Sequence, residues 1–94
     1  MEFEEMTEKI IKCAITVHQS LGPGLLESAY KECLHYKLIQ IGLKSEKEKG
    51  IPIIFEEIRL DCGYRIDLLV ENEIVIEINF NVRLLREGIK WVVN

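Results

Sequence analysis

The chain has no apolar run approaching the ~20 residues that cross a bilayer, so no membrane-spanning helix is expected. Its start, Met1-Glu2-Phe3-Glu4-Glu5, is acidic where a secretory leader is basic, and export by that route is not expected either. Cysteine is scarce: Cys13, Cys33 and Cys62 cannot all pair within one chain and show no Cys-x-x-Cys spacing. A disulfide framework is therefore not expected, and the reducing cytoplasm is the expected compartment. Basic excess is lacking too, since 12 Lys and Arg against 16 Asp and Glu leave a net charge of −4. That balance argues against a broadly basic nucleic-acid surface but leaves room for an acidic site that reaches phosphate through a cation. There are no repeats or low-complexity segments, and 94 residues leave no space for a second domain, so 1–94 reads as one domain. What is present, 48% hydrophobic and 30% charged residues, is globular composition and excludes a disordered or collagen-like chain.

Phe3, Met6, Ile10, Ala14, Val17 and Leu21 recur at three- and four-residue steps and predict an amphipathic helix over residues 3–21. Gly22-Pro23-Gly24 stops it. Leu26, Ala29, Tyr30, Cys33, Leu34, Leu38 and Ile41 repeat the period and predict a second helix, ended by Gly42, with Glu27 in its first turn. The period then changes to two. Lys44 to Lys49 alternates in sign and is expected as a solvated edge strand that discourages aggregation, leading into Ile51, Ile53 and Phe55. Ile58-Arg59-Leu60, Tyr64–Val70 and Ile74–Phe80 read as further strands, the last two as an antiparallel hairpin. Residues 81–94 fit a short helix at Leu84–Glu87 or a final strand at Ile89–Val93; loop then strand is preferred, because Gly88 punctuates and Val92-Val93 is β-branched. Arg83, Arg86 and Lys90 against Glu87 make this end the expected side for any polyanion. The order indicates an α+β domain with two N-terminal helices packed on a largely antiparallel four- or five-stranded sheet.

The hairpin carries the most informative spacing. A three-residue loop centred on Asn72 sets Val70 opposite Ile74, Leu68 opposite Ile76, and Asp67 opposite Glu77. Like charges directly opposed cost stability, and alternation puts both carboxylates on the face opposite Ile66, Leu68, Ile76 and Ile78. A divalent cation removes that cost. Hard oxygen ligands suit Mg²⁺ or Mn²⁺, with the Ile78 carbonyl as a further donor. The other reading of the same spacing is a solvated face on which Arg65 relieves the repulsion, and a two-residue turn would shift the register.

Gly24-Leu25-Leu26-Glu27-Ser28-Ala29-Tyr30 resembles the signature of the GxxExxY protein family. The resemblance continues in Val17–Gly24, Tyr64–Val70, Asn79-Phe80-Asn81-Val82 and Gly88-Ile89-Lys90, nearly the whole chain. That family is similar to the PD-(D/E)XK nuclease superfamily, whose pattern is a helix glutamate, a strand aspartate, then Glu-x-Lys on the next strand. Matched residue by residue, the resemblance implies Glu27, Asp67 and Glu77 as a remnant catalytic set, Asp67 and Glu77 as metal ligands, and nucleic acid as a partner. The departure is at Asn79, where the family has lysine, and the helix and strand that normally follow Glu-x-Lys are absent, so the core looks truncated. A lysine ammonium orients water or stabilises developing charge in phosphodiester hydrolysis, and Asn79 carries no charge.

These residues imply a nuclease-like domain with impaired catalysis. A non-enzymatic interaction or self-association module is the alternative, and an active metal-dependent nuclease using a replacement basic residue, Arg65 or Lys90, is a third. With one covering helix missing, part of the Leu/Ile/Val-rich hairpin or its edge is expected to be exposed in a monomer, and a homodimer anchored near residues 74–93 by Trp91 is expected to cover it. His18 and His35 with the cysteines lack zinc-ligand spacing; His18 is expected at the helix end and His35 on the surface. Tyr30 is expected in the core with its hydroxyl at the rim.

Overall fold

The computed structural model describes residues 2–24, 26–78, 82–86 and 91–93, and only the main chain of 62–64, 82–86 and 91–93. Helix α1 spans Phe3–Leu21 and α2 spans Glu27–Gln40. The stripe Met6, Ile10, Cys13, Ala14 and Val17 is buried, as the helical period of the sequence requires. Helix α2 ends in a Schellman arrangement, in which Gly42 N–H donates to the Ile39 carbonyl at 2.9 Å and Leu43 N–H to the Leu38 carbonyl at 3.0 Å. This path needs φ of 93° at Gly42, a left-handed value that glycine adopts without steric cost. Leu38 and Leu43 are brought into the same core by it.

Strands β1 (Ser45–Phe55), β2 (Ile58–Val70), β3 (Ile74–Ile78), β4 (Val82–Arg86) and β5 (Trp91–Val93) form one sheet in the order β4-β3-β2-β1-β5. Pairing is antiparallel from β1 to β4, and β5 joins β1 in parallel. The expected α+β architecture is thus present with five strands. The tail differs in one respect: Val82–Arg86, expected as loop, is a strand paired with β3 from Ile78↔Val82 to Ile74↔Arg86. The pairing satisfies main-chain groups along β3 that would otherwise line an open sheet edge.

Leu68, Val70, Ile74, Ile76 and Ile78 pack with the α1 stripe and with Leu34 and Leu38 of α2. A second cluster holds Ile51, Ile66, Leu69 and Val75. The hairpin is therefore buried through residues of both parities, and the expectation that it stands exposed is corrected. Exposed apolar side chains stand instead at the β1–β2 tip, where Phe55 is 41%, Ile58 57% and Leu60 52% exposed, and along the helical layer, where Leu26 is 75% and Tyr36 66% exposed. Trp91 has its main chain in β5, and its side chain lies outside the described residues. No helix among the described residues is long and apolar enough to cross a membrane.

The alternating charges of β1 do more than solvate an edge. Lys47 Nζ donates to Glu32 Oε1 of α2 at 2.7 Å, Lys31 of α2 pairs with Glu48, and His35 Nδ1 lies 2.8 Å from Ser45 Oγ. His35 is half-buried, so its expected surface position is corrected. Burial first, then the Lys47 charge, pushes its imidazole below the usual 6.5 against a weaker pull from Glu32. A depressed histidine pKa means that the unfolded chain takes up the proton first. Stability is complete above pH 6.5 and declines as pH falls below it toward the folded value. Thermal melts between pH 7.5 and pH 5 should show a steeper loss for the parent than for His35→Gln; equal slopes would refute this assignment.

Candidate functional site

The β2–β3 turn sets the geometry of the carboxylates. Glu71 and Asn72 take φ of 54° and 55°, and Glu73 N–H closes the turn on the Val70 carbonyl at 3.0 Å. The resulting register, Val70↔Ile74, Leu69↔Val75 and Leu68↔Ile76, is the one expected from the sequence. The next positions along it are Asp67 and Glu77. Regular pairing runs to Leu68↔Ile76, and beyond it Asp67 Oδ2 accepts the main-chain N–H of Ile78 at 2.7 Å. The Asp67 carboxylate therefore lies against the main chain one residue past Glu77. Both side chains are half-buried. Strict alternation ends here: Ile66, expected on the face of Leu68, clusters with Leu69 and Val75, and between them Asp67 turns its carboxylate to the β3 main chain.

A carboxylate offers about four lone-pair positions, and one hydrogen bond to Ile78 leaves acceptor capacity for a cation. Two carboxylates from neighbouring strands are a hard, all-oxygen donor pair, the chemistry that Mg²⁺ and Mn²⁺ require. Glu27 stands apart from Asp67 and Glu77: it is exposed at the first position of α2, behind Leu26. There its negative charge complements the helix N-terminus. Among the described residues, no three His, Cys, Asp or Glu side chains converge as a metal-holding group.

Two features here were hidden from the sequence. Glu48 sits across β1 from Asp67, between the pairs Lys47↔Leu68 and Lys49↔Ile66. A φ of 53° takes it out of regular strand geometry, and its side chain meets Lys31 of α2. A third acid beside Asp67 is thereby neutralised by a lysine instead of adding to the repulsion. The sequence offered only sign alternation, which does not reveal a left-handed residue.

Tyr30, the last residue of the Gly24–Tyr30 segment, is half-buried, and its hydroxyl donates to the Ala14 carbonyl at 2.7 Å. It joins α2 to α1, three residues along α2 from Glu27, and so fixes the turn that presents this glutamate. Burial also raises its phenol pKa. Tyr30→Phe should cost about 0.5–1.5 kcal/mol, the net worth of one such bond, and lower the melting temperature by several degrees. An unchanged melt would deny the bond this role. Asn79 and Lys90 lie outside the described residues, as do the side chains of Arg83 and Arg86.

Compared with known proteins, residues 4–94 match the family model of the PD-(D/E)XK nuclease superfamily. No curated protein and no solved structure matches the chain.

Proposed function

The chain belongs to the PD-(D/E)XK nuclease superfamily, and from that membership we propose a nuclease-like domain of GxxExxY type in which Asp67 and Glu77 hold Mg²⁺ or Mn²⁺ and catalytic turnover is impaired. The observation that carries this reading is the Asp67 carboxylate seated on the Ile78 amide, which holds it at the strand segment bearing Glu77. A bound divalent cation polarises a phosphate and lowers the pKa of its water. Asp67 and Glu77 are its proposed donors, and the Ile78 main chain orients Asp67. Glu27, the third residue of the implied set, stands apart at the first position of α2 and is not part of the proposed donor pair. Asn79 replaces the cationic group that would stabilise developing charge, and nucleic acid is the proposed partner. Cys13 and Cys33 are free thiols, as the proposed cytoplasmic setting requires.

Thermal melts with Mn²⁺ test this assignment. Millimolar Mn²⁺ should raise the melting temperature of the parent, because the ion binds the folded state alone. Asp67→Asn should abolish the rise while keeping the fold, since an amide oxygen can still accept the Ile78 N–H. No shift in the parent favours the non-enzymatic reading. In that reading the exposed Phe55, Ile58 and Leu60 at the β1–β2 tip are the contact surface of a homodimer, which sedimentation at micromolar concentration would detect.

A further inference from the structure

The β1–β2 hairpin runs past the strands that flank it. Strand β3 pairs with β2 at residues 68–70, and β5 pairs with β1 at residues 53–55. Among the described residues, no strand lies on the outer edge of β2 over residues 58–61. The pairs Ile53↔Leu60 and Phe55↔Ile58 put these four side chains on one face of the hairpin, with Ile54 and Arg59 on the other. All of residues 58–61 are exposed, so both faces of this segment meet solvent. The register of β1 and β2 shifts between Ile51 and Ile53, at Pro52, which has no N–H to give. That shift comes after the segment along β2 and leaves Phe55↔Ile58, Ile54↔Arg59 and Ile53↔Leu60 in regular pairing. A two-stranded ribbon with an open edge and an exposed apolar face is marginal on its own, and its unpaired main chain recruits another strand.

We propose that this edge of β2 pairs antiparallel with the same edge of a second copy of the chain, across a two-fold axis at Leu60. The proposal rests on the self-association reading above, to which it gives a strand and a register, and it does not depend on whether Asp67 and Glu77 hold a cation. Charge selects the axis. Arg59 and Asp61 are two residues apart on one side of the strand, where Arg59 Nε meets Asp61 Oδ1 at 2.8 Å with both side chains largely exposed. About Leu60, each Arg59 stands opposite Asp61 of the second copy, Leu60 opposite Leu60, and Ile58 opposite Cys62. An axis at Arg59 or at Asp61 sets like charges against each other, and an axis between neighbouring residues sets a charge against an apolar side chain. The Glu56-Glu57 turn makes the end of the hairpin acidic, which disfavours an anionic lipid or nucleic-acid surface and leaves a self-complementary strand as the fitting partner. A contact of about five residues from each copy is small, so the dimer is a weak one, dissociating in the micromolar range. The sequence concealed it because Ile58-Arg59-Leu60 reads as a strand without revealing that β3 stops short of it.

The test is sedimentation equilibrium of the full chain across the micromolar range, in EDTA so that the carboxylate assignment cannot affect it. The parent should dimerise. Arg59→Asp and Asp61→Arg should each weaken the dimer about tenfold or more, because two attractive pairs become two repulsive ones. Both positions are exposed, so the fold should survive, which circular dichroism checks. An equimolar mixture of these two variants, and the double variant carrying both changes, should recover the parent's association, since opposite charges again face each other across the axis. Asp67→Asn should leave association unchanged. A dimer that ignores both reversals, or that neither the mixture nor the double variant restores, would overturn this register while self-association stands. A parent that stays monomeric would overturn both.

Discussion

Replacing Asn79 by lysine is expected to raise metal-dependent DNA cleavage by about 10²–10³-fold over the parent chain, which itself should show little or none. The size follows from what is missing. In-line attack on a phosphodiester builds negative charge, and a preorganised cation near the developing charge lowers the barrier selectively in the transition state. A cation held by Asp67 and Glu77, as proposed, would supply part of that stabilisation, while Asn79 offers a neutral amide where the superfamily pattern has an ammonium. Loss of the gained activity in the double variant Asn79→Lys, Glu77→Gln would attribute it to this site. Robust turnover by the parent, abolished by Glu77→Gln, would contradict the impairment and favour a replacement basic residue.

Leu68→Ala should be the most destabilising of the single changes considered, by about 2–5 kcal/mol. Leu68 is fully buried between the sheet and the helix layer, and its truncation leaves a cavity that neighbours on α1, α2 and β3 fill only in part. In a domain of this size, each 1 kcal/mol shifts the melting temperature by about 4–8 °C, so a fall of ten degrees or more is expected. Leu60→Ala on the same strand should change little, because Leu60 is 52% exposed. Similar losses at the two positions would mean that the helices do not pack on the face bearing Leu68.

Much of this architecture was legible because the deciding signals are local. The 3.6-residue stripe of α1 and the β-branched runs at 66–70 and 74–78 name their own structure, and the hairpin register follows from loop length and alternation. What escaped depended on contacts distant in sequence. Val82–Arg86 carries two arginines and reads as loop, yet β3 offers it a pairing edge. The role of His35 depends on Ser45 and Lys47 across the α2–β1 interface. At the site, the register followed from the sequence as far as Leu68↔Ile76. The capture of the Ile78 amide and the diversion of Glu48 to Lys31 are departures from regular sheet geometry, which periodicity cannot encode.

The central claim, that Asp67 and Glu77 form a divalent-cation site, is tested most directly by titrating the purified chain with Mn²⁺ and following free Mn²⁺ by its paramagnetic resonance signal. One ion per chain should bind, and binding should be lost in both Asp67→Asn and Glu77→Gln with the fold intact by circular dichroism. Absence of binding in the parent, or binding that survives both substitutions, would contradict it.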